Sequence, residues 1–409
     1  MQENSAVHAK KRKLSEGKMK ENDLAPRDRI ENKFIARYDP QARDMSLLNL
    51  DKSPYRGPVQ QSDIQYPLRV VLEIDSRCNM RCQYCSEGAN PPKFSIPKEK
   101  LFALIDQVEE MQVPELTIRG GEATVHPDFF EIWDYAQSKN FTSTNLITNG
   151  YVLNPRKVEH MLQNPRAKLI ASLDGFPQVN ALYRDPKQFE QVLSWLLPAI
   201  EKTPNQVVLL SVVYRQNYES IPTFAQSFAQ KDLQFYHLSP LKRLGRSEIV
   251  ATNFVSYDEI NQLQTKLDAL QSTYKNFRPT VSCIALEKYK TNKTQNIPMP
   301  FFTELHFGTG VKVTPNGQIM VNRGIMFTKH FKDQLNITGK NQAEKNLAAQ
   351  SPNNFVEEKC LEPLGSIYDE SRDFKTIWVK SLEQRLLQAK IADNHYDYYL
   401  GWLKSLKTQ

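Results

Sequence analysis

The run Val70–Val71–Leu72–Glu73–Ile74 leads directly into the octapeptide CNMRCQYC, which puts Cys78, Cys82 and Cys85 in one loop. A short β-branched run of this kind reads as a strand. The chain holds only five cysteines in 409 residues, so three behind one strand constrain that loop more than any other feature does. Thiolates are soft ligands that select zinc, copper(I) or iron–sulfur clusters. A tetrahedral zinc site asks for a fourth Cys or His nearby, and Cys283 and Cys360 lie far downstream. Three thiolates fit a [4Fe–4S] cluster with one iron left open for another ligand. A structural zinc loop is the competing reading.

From Leu68 onward strand and helix signals alternate, which predicts βα units and a parallel sheet. After the cysteine strand, further strands are expected at 116–118, 144–147, 169–173, 207–213 and 235–238, with helices near 97–111, 128–138, 155–163, 189–201 and 221–230. The second strand ends in Arg119–Gly120–Gly121–Glu122. Glycines behind a strand let the backbone approach a ligand closely, and Glu122 can accept from a charged amino group.

The C-x-x-x-C-x-x-C loop after one strand and Gly-Gly-Glu after the next resemble the radical SAM superfamily, over roughly residues 68–378. The resemblance implies an α/β fold, a partial (β/α)6 TIM-like barrel with a small α+β C-terminal extension. It implies one [4Fe–4S] cluster on Cys78, Cys82 and Cys85, with S-adenosylmethionine (SAM) on the open iron. Tyr84 would lie near the adenine, and Gly120, Gly121 and Glu122 would hold the methionine end. Ligands gather at the carboxyl ends of barrel strands, which makes Asn149, Ser172, Asp174, Ser211 and Arg246 candidates for contacts to SAM or substrate. Ser and Asp are also ordinary turn residues, so each of these positions has an equally plain reading as a loop cap. His126 reads as positional, and Arg119 and Thr124 border the glycine motif.

Three segments follow from this reading. Residues 1–65, with Lys10–Lys11–Arg12–Lys13 and few apolar side chains, read as a basic, flexible extension without a strand-and-helix pattern. Residues 66–280 are the core, and 281–409 the extension and C-terminal helices. In the last segment, 311–321 reads as a hairpin on the Asn316–Gly317 turn, and Thr376–Ile377–Trp378 as a helix start. That order resembles a SPASM or twitch extension whose cluster cysteines are missing, since Gly308, Gly310 and Asn322 stand in their neighbourhood. A degenerate extension of this kind would act as a lid over the barrel mouth.

The resemblance implies reductive cleavage of SAM and hydrogen abstraction by a 5′-deoxyadenosyl radical. A reductant such as flavodoxin or ferredoxin would be the electron partner. The substrate class expected first is a ribosomally made peptide, with epimerisation favoured because too few cysteines remain for auxiliary clusters. Cys360, and less so Cys283, are then candidate hydrogen donors, although a free Cys is commonly a small buried hydrophobe. A small-metabolite dehydrogenase, deoxygenase or epimerase is the alternative, with Lys242, Arg243 and Arg246 as a basic hint. A non-catalytic iron–sulfur sensor is a third reading. A net charge of +7 gives no case for nucleic acid. Without an apolar run of spanning length or a signal-peptide core, a cytoplasmic protein without membrane partner is expected.

Overall fold

The computed structural model describes residues 27–30, 35–39, 44–48, 50–52, 66–85, 88, 93–241, 246, 253–281, 310–322, 361–369, 371, 373–374 and 376–377. Two sheets are present among them. The first is an antiparallel meander of β1 (Arg27–Ile30), β2 (Ile35–Asp39) and β3 (Asp44–Leu48). Its register sets Asp28 opposite Arg37, and the pair bonds through two parallel contacts of 2.7 Å. The Arg37 guanidinium holds the Asp28 carboxyl below the usual carboxylate range. These three strands lie within the segment read as a basic extension. They are four or five residues long and lack a sustained period-2 alternation.

The second sheet carries the rest. In chain order its first half is β4 (Arg69–Glu73), α1 (Lys98–Glu110), β5 (Glu115–Arg119), α2 (Phe129–Gln137), β6 (Ser143–Thr148), α3 (Pro155–Met161) and β7 (Ala167–Ser172). Then come α4 (Pro177–Asn180), α5 (Gln188–Lys202), β8 (Val207–Val213), α6 (Arg215–Tyr218), α7 (Ile221–Ala229) and β9 (Phe235–Pro240). Strands β4 to β9 are parallel neighbours in sequence order, which is the α/β arrangement the alternating pattern predicts. Beyond the expected six, α8 (Tyr257–Thr273) leads into a seventh parallel strand, β10 (Arg278–Val281). The RPTV strand is short and contains Pro279, which reads as a strand breaker except at an edge; β10 is an edge strand.

The Asn316–Gly317 turn closes the expected hairpin of β11 (Gly310–Val313) and β12 (Gln318–Asn322). Gly317 adopts φ 79°, the left-handed conformation such a turn requires. Strand β11 pairs parallel with β4, Val311 beside Val70, and β13 (Leu361–Ser366) continues antiparallel from β12. The described part of the extension therefore prolongs the core sheet at its other end, and the boundary near 280 divides a single ten-stranded sheet. Phe374 and Ile377 are buried against the same core, and the Phe374 N–H donates to Gln107 Oε1 at 2.7 Å. Cys283, Cys360, Lys242, Arg243, Gly308 and Trp378 lie outside the described residues.

Helices cover one face of the sheet. In α1, Leu101, Leu104, Ile105 and Val108 recur at helical spacing and are buried. Phe129, Ile132, Trp133 and Ala136 do the same in α2, and Phe189, Val192, Trp195, Leu196 and Ala199 in α5. They meet Val70, Leu72, Leu116, Ile118, Leu146, Leu169, Leu209 and Leu238 of the strands in one continuous core. The alternate strand residues point to the inner face of the incomplete barrel and are mostly polar. Arg69 lies 2.7 Å from Glu115. Asn145 Nδ2 donates to Glu115 Oε1 and Thr117 Oγ1, at 3.1 and 3.2 Å, and Ser143 donates to Asn145. Nearer the strand ends, Arg119 and Lys312 both approach Glu73 Oε1, at 2.7 and 3.0 Å.

Helix α8 starts in a capping box in which Ser256 and Glu259 bond reciprocally. Glu259 also pairs with Arg215, whose Nη2 donates to the Phe254 carbonyl at 3.1 Å. The Arg215 bond holds the Glu259 carboxyl down at about 2 from a usual 4.5. A depressed carboxyl stabilises the fold above its unfolded value, and this stabilisation is lost as pH falls through the folded one. Glu259→Gln keeps an acceptor in the box but removes the ion pair, and should lower stability at pH 7 by about 0.5–1 kcal/mol. In urea titrations the gap to wild type should close steadily below pH 4.5.

Candidate metal centre

The carboxyl ends of β4 to β7 converge on the cysteine loop. Asp75 is buried behind β4 and binds the Arg77 side chain at 2.9 and 3.0 Å and the Arg77 N–H at 2.8 Å. Burial raises its carboxyl, but these bonds outweigh it and the pKa lies below the ordinary value. Against this turn the glycine motif packs backbone to backbone. Gly121 N–H donates to the Asp75 carbonyl and Glu122 N–H to the Arg77 carbonyl, both at 2.8 Å. A Cβ on Gly120 would stand 2.3 Å from the Asp75 oxygen, and one on Gly121 2.5 Å from that of Arg77. The two glycines thus answer a steric demand made by residues 75–77, immediately before Cys78.

Glu122 is 2% exposed, and four protein donors reach its carboxylate. They are Thr124 N at 3.1 Å, Thr124 Oγ1 and Thr148 Oγ1 at 2.7 Å, and Asn149 N at 2.6 Å. Burial nevertheless raises its pKa. Glu122 thus forms a buried knot between the ends of β5 and β6. That knot aims Asn149, whose Nδ2 bonds Asn79 Oδ1 at 2.8 Å and lies 3.8 Å from Cys78 Sγ. The Met80 N–H also points at Cys78 Sγ, at 3.4 Å. Burial pushes the Cys78 thiol up to about 11, and raises Cys82 as well.

On the other side of the loop, Tyr84 is buried and donates to Asp174. Asp174 is fully buried and also accepts from Arg184 Nε at 2.7 Å, Arg184 Nη2 at 3.2 Å and Val212 N at 3.0 Å. The Asp174 carboxylate is enclosed by these protein donors. Burial opposes the Arg184 charge, but the Asp174 carboxylate outweighs it and keeps the guanidinium protonated well above its ordinary range. Ser211 projects to the helix-covered face, where its hydroxyl bonds the Leu173 carbonyl and the Tyr236 hydroxyl. Ser172 ends β7 on the inner face and is 7% exposed. Arg246 holds the loop backbone, its N–H bonding the Cys85 carbonyl at 3.0 Å and its Nε the Cys82 carbonyl at 3.1 Å. His126 is buried between Ile96 O and the Asp128 N–H, which agrees with a positional role. Arg184 was not singled out from sequence. A basic residue at a fixed interval behind Ser172–Leu173–Asp174–Gly175 was the available signal.

Cys78, Cys82 and Cys85 are thiols, each partly exposed. Among the described residues, no three His, Cys, Asp or Glu side chains are gathered tightly enough for one metal ion. A polynuclear cluster holds its thiolates further apart than a single ion does. Soft thiolate donors and N–H groups directed at Cys78 Sγ suit a [4Fe–4S] cluster.

Residues 72–228 match the family model described as the Radical SAM superfamily. A mycofactocin maturase, MftC, of Mycolicibacterium smegmatis is 29% identical over 162 residues, 39% of this chain and 41% of that protein. An AdoMet-dependent heme synthase of Methanosarcina barkeri is 26% identical over 189 residues, 44% of this chain and 53% of that protein. The match thus spans about half the length of these curated relatives. Two solved structures share the fold at 16% identity: Streptococcus suis SuiB bound to precursor peptide SuiA, with TM-score 0.52 over 63% of this chain and 59% of that one, and anSMEcpe with bound AdoMet, with TM-score 0.52 over 76% and 80%.

Gly120→Ala or Gly121→Ala should force the 75–77 turn to move. Overpacking of this kind costs about 1–3 kcal/mol, and urea unfolding should show it, with a parallel fall in iron bound after anaerobic reconstitution. Wild-type stability in both variants would show that the turn yields freely.

Proposed function

Because this chain carries a radical SAM domain over residues 72–228, we propose that it is an enzyme that cleaves SAM reductively and takes a hydrogen from a peptide substrate. Cys78, Cys82 and Cys85 would hold the [4Fe–4S] cluster, with SAM at its open iron. When bound, cluster and SAM supply a carbon radical strong enough to break an unactivated C–H bond. The observation that carries the reading is the cysteine loop docked on the Gly120–Gly121 backbone, with Asn149 and the Met80 N–H directed at Cys78. The protein supplies binding, orientation and exclusion of water. Ser172 and the half-buried Arg119 and Lys312 line the inner face on which substrate would lie.

The peptide substrate is supported by the relatives named as a mycofactocin maturase and as SuiB bound to a precursor peptide. A redox-neutral outcome, inversion at a peptide Cα, fits a chain whose cysteines beyond the loop number only two. In that reaction Cys360, with Cys283 as the weaker candidate, returns the hydrogen from a thiol. Flavodoxin or ferredoxin would deliver the electron, in the cytoplasm. Among the described residues no helix is long and apolar enough to cross a membrane. The relatives named for heme and Fe-coproporphyrin III synthesis favour a second reading, a dehydrogenase, deoxygenase or epimerase acting on a small metabolite.

With dithionite and SAM the reconstituted protein should release 5′-deoxyadenosine, and Cys82→Ala should release none. Co-expression with a candidate peptide in deuterated water should add one mass unit per inverted residue, and Cys360→Ala should abolish that gain while 5′-deoxyadenosine is still made. Loss of two mass units would replace inversion by oxidation or cross-linking. An unchanged peptide would favour the small substrate.

A further inference from the structure

We propose that the buried Asp174–Arg184 ion pair positions the cysteine loop through Tyr84, and so governs how the cluster is held and how readily it accepts an electron. The inference rests on reading Cys78, Cys82 and Cys85 as cluster ligands.

Tyr84 stands between Cys82 and Cys85 in sequence, directly beside the latter. Its hydroxyl donates to Asp174, which lies just past the end of β7 and also accepts from Val212 N, near the end of β8. One carboxylate therefore joins two strand ends to the loop. Arg184 orients that carboxylate with two N–H bonds, and its guanidinium lies 5.4 Å from the centre of the Tyr84 ring. Asp174 is fully buried and the Arg184 side chain 7% exposed. The backbone repeats the connection, since Gln83 N–H donates to the Tyr183 carbonyl one residue before Arg184. The rings of Tyr183 and Tyr214 close around Tyr84 at 5.9 and 6.0 Å. From the outer side Arg246 takes up the Cys82 and Cys85 carbonyls. The segment carrying two of the three thiols is thus gripped on both sides.

A buried ion pair is weak evidence for stability, because desolvation cancels most of the attraction and apolar residues can often replace it. What apolar packing cannot do is fix the direction of a hydroxyl. Four donors converging on Asp174 leave the Tyr84 oxygen one place to go, and hence the loop one register. Groups that orient ligands in this way commonly change metal affinity about 10–100-fold when removed, and hydrogen bonds and charges near a cluster shift its potential. Arg184 and Asp174 are positioning residues here, since neither touches a described thiol.

The test uses the full chain, reconstituted anaerobically, as wild type, Tyr84→Phe and Arg184→Lys. Tyr84→Phe removes one hydroxyl and keeps the ring, so its apo form should fold with a wild-type circular dichroism spectrum. It should lose iron to a chelator about tenfold more readily, and show altered electron paramagnetic resonance of the reduced cluster with SAM and a displaced midpoint potential. Arg184→Lys, which keeps the charge but not the fork, should move all three readouts in the same direction. Wild-type iron retention, spectrum and potential in Tyr84→Phe would overturn the proposal, even if Arg184→Lys proved unable to fold. Absence of a four-iron cluster from the wild-type protein would overturn the ligand assignment and the proposal with it.

Discussion

The backbone of Gly120–Gly121 touches the backbone of residues 75–77 with no room for a side chain, and the site is organised outward from that contact. It brings the end of β5 against the start of the cysteine loop. Glu122 then reaches on to the end of β6, and Asn149 turns back to Asn79 and Cys78. The result is a closed ring of contacts running through β4, β5, β6 and the loop. Each link is short because the previous one fixes its starting point. An alanine in the pair would disturb every later link, although it would touch no thiol itself.

The inner face of the sheet shows why these strands tolerate so many charged groups. Parallel strands are usually buried on both sides and read as continuous apolar runs. Here helices bury one side only, and the other is filled by Arg69, Glu115, Thr117, Ser143 and Asn145 bonding one another. Closer to the strand ends the same face carries Glu73 with Arg119 and Lys312, one carboxylate between two cations. Arg119 and Lys312 are part-exposed, as is Arg69 at the opposite end, while Thr117 and Asn145 are buried.

Much of this could be read from the sequence. Strands β4 to β9 and the helices between them announce themselves by β-branched runs and helical spacing, and the thiols by their concentration in one loop. The Asn316–Gly317 turn predicts its hairpin because few other pairs accept the required dihedrals. What escaped was whatever depends on a partner distant in sequence. Strands β1 to β3 and β10 are only four or five residues long and lack a sustained period-2 alternation. The role of Arg184 depends on Asp174 and Tyr84, the latter on another element altogether. One step of the strand alternation decides that Ser211 faces the helices, and its partners Leu173 and Tyr236 come from elsewhere in the chain. Among the described residues the close neighbour of Gly120 and Gly121 is the backbone of residues 75–77.

The pairing of Arg69 with Gly310 and of Leu72 with Val313 has a consequence for biosynthesis. Strand β4 acquires β5 as a neighbour soon after it leaves the ribosome, but its second neighbour is encoded far downstream. While residues 74–309 are being made, the strand that delivers the thiols is an open edge with unpaired amides and carbonyls. Closing so long a loop is slow compared with pairing nearby strands. Metal loading during translation would therefore meet a half-finished sheet, and a nascent chain stalled before residue 310 would present a sticky border to its neighbours. Timely arrival of a hairpin that carries no ligand thus protects the segment that does.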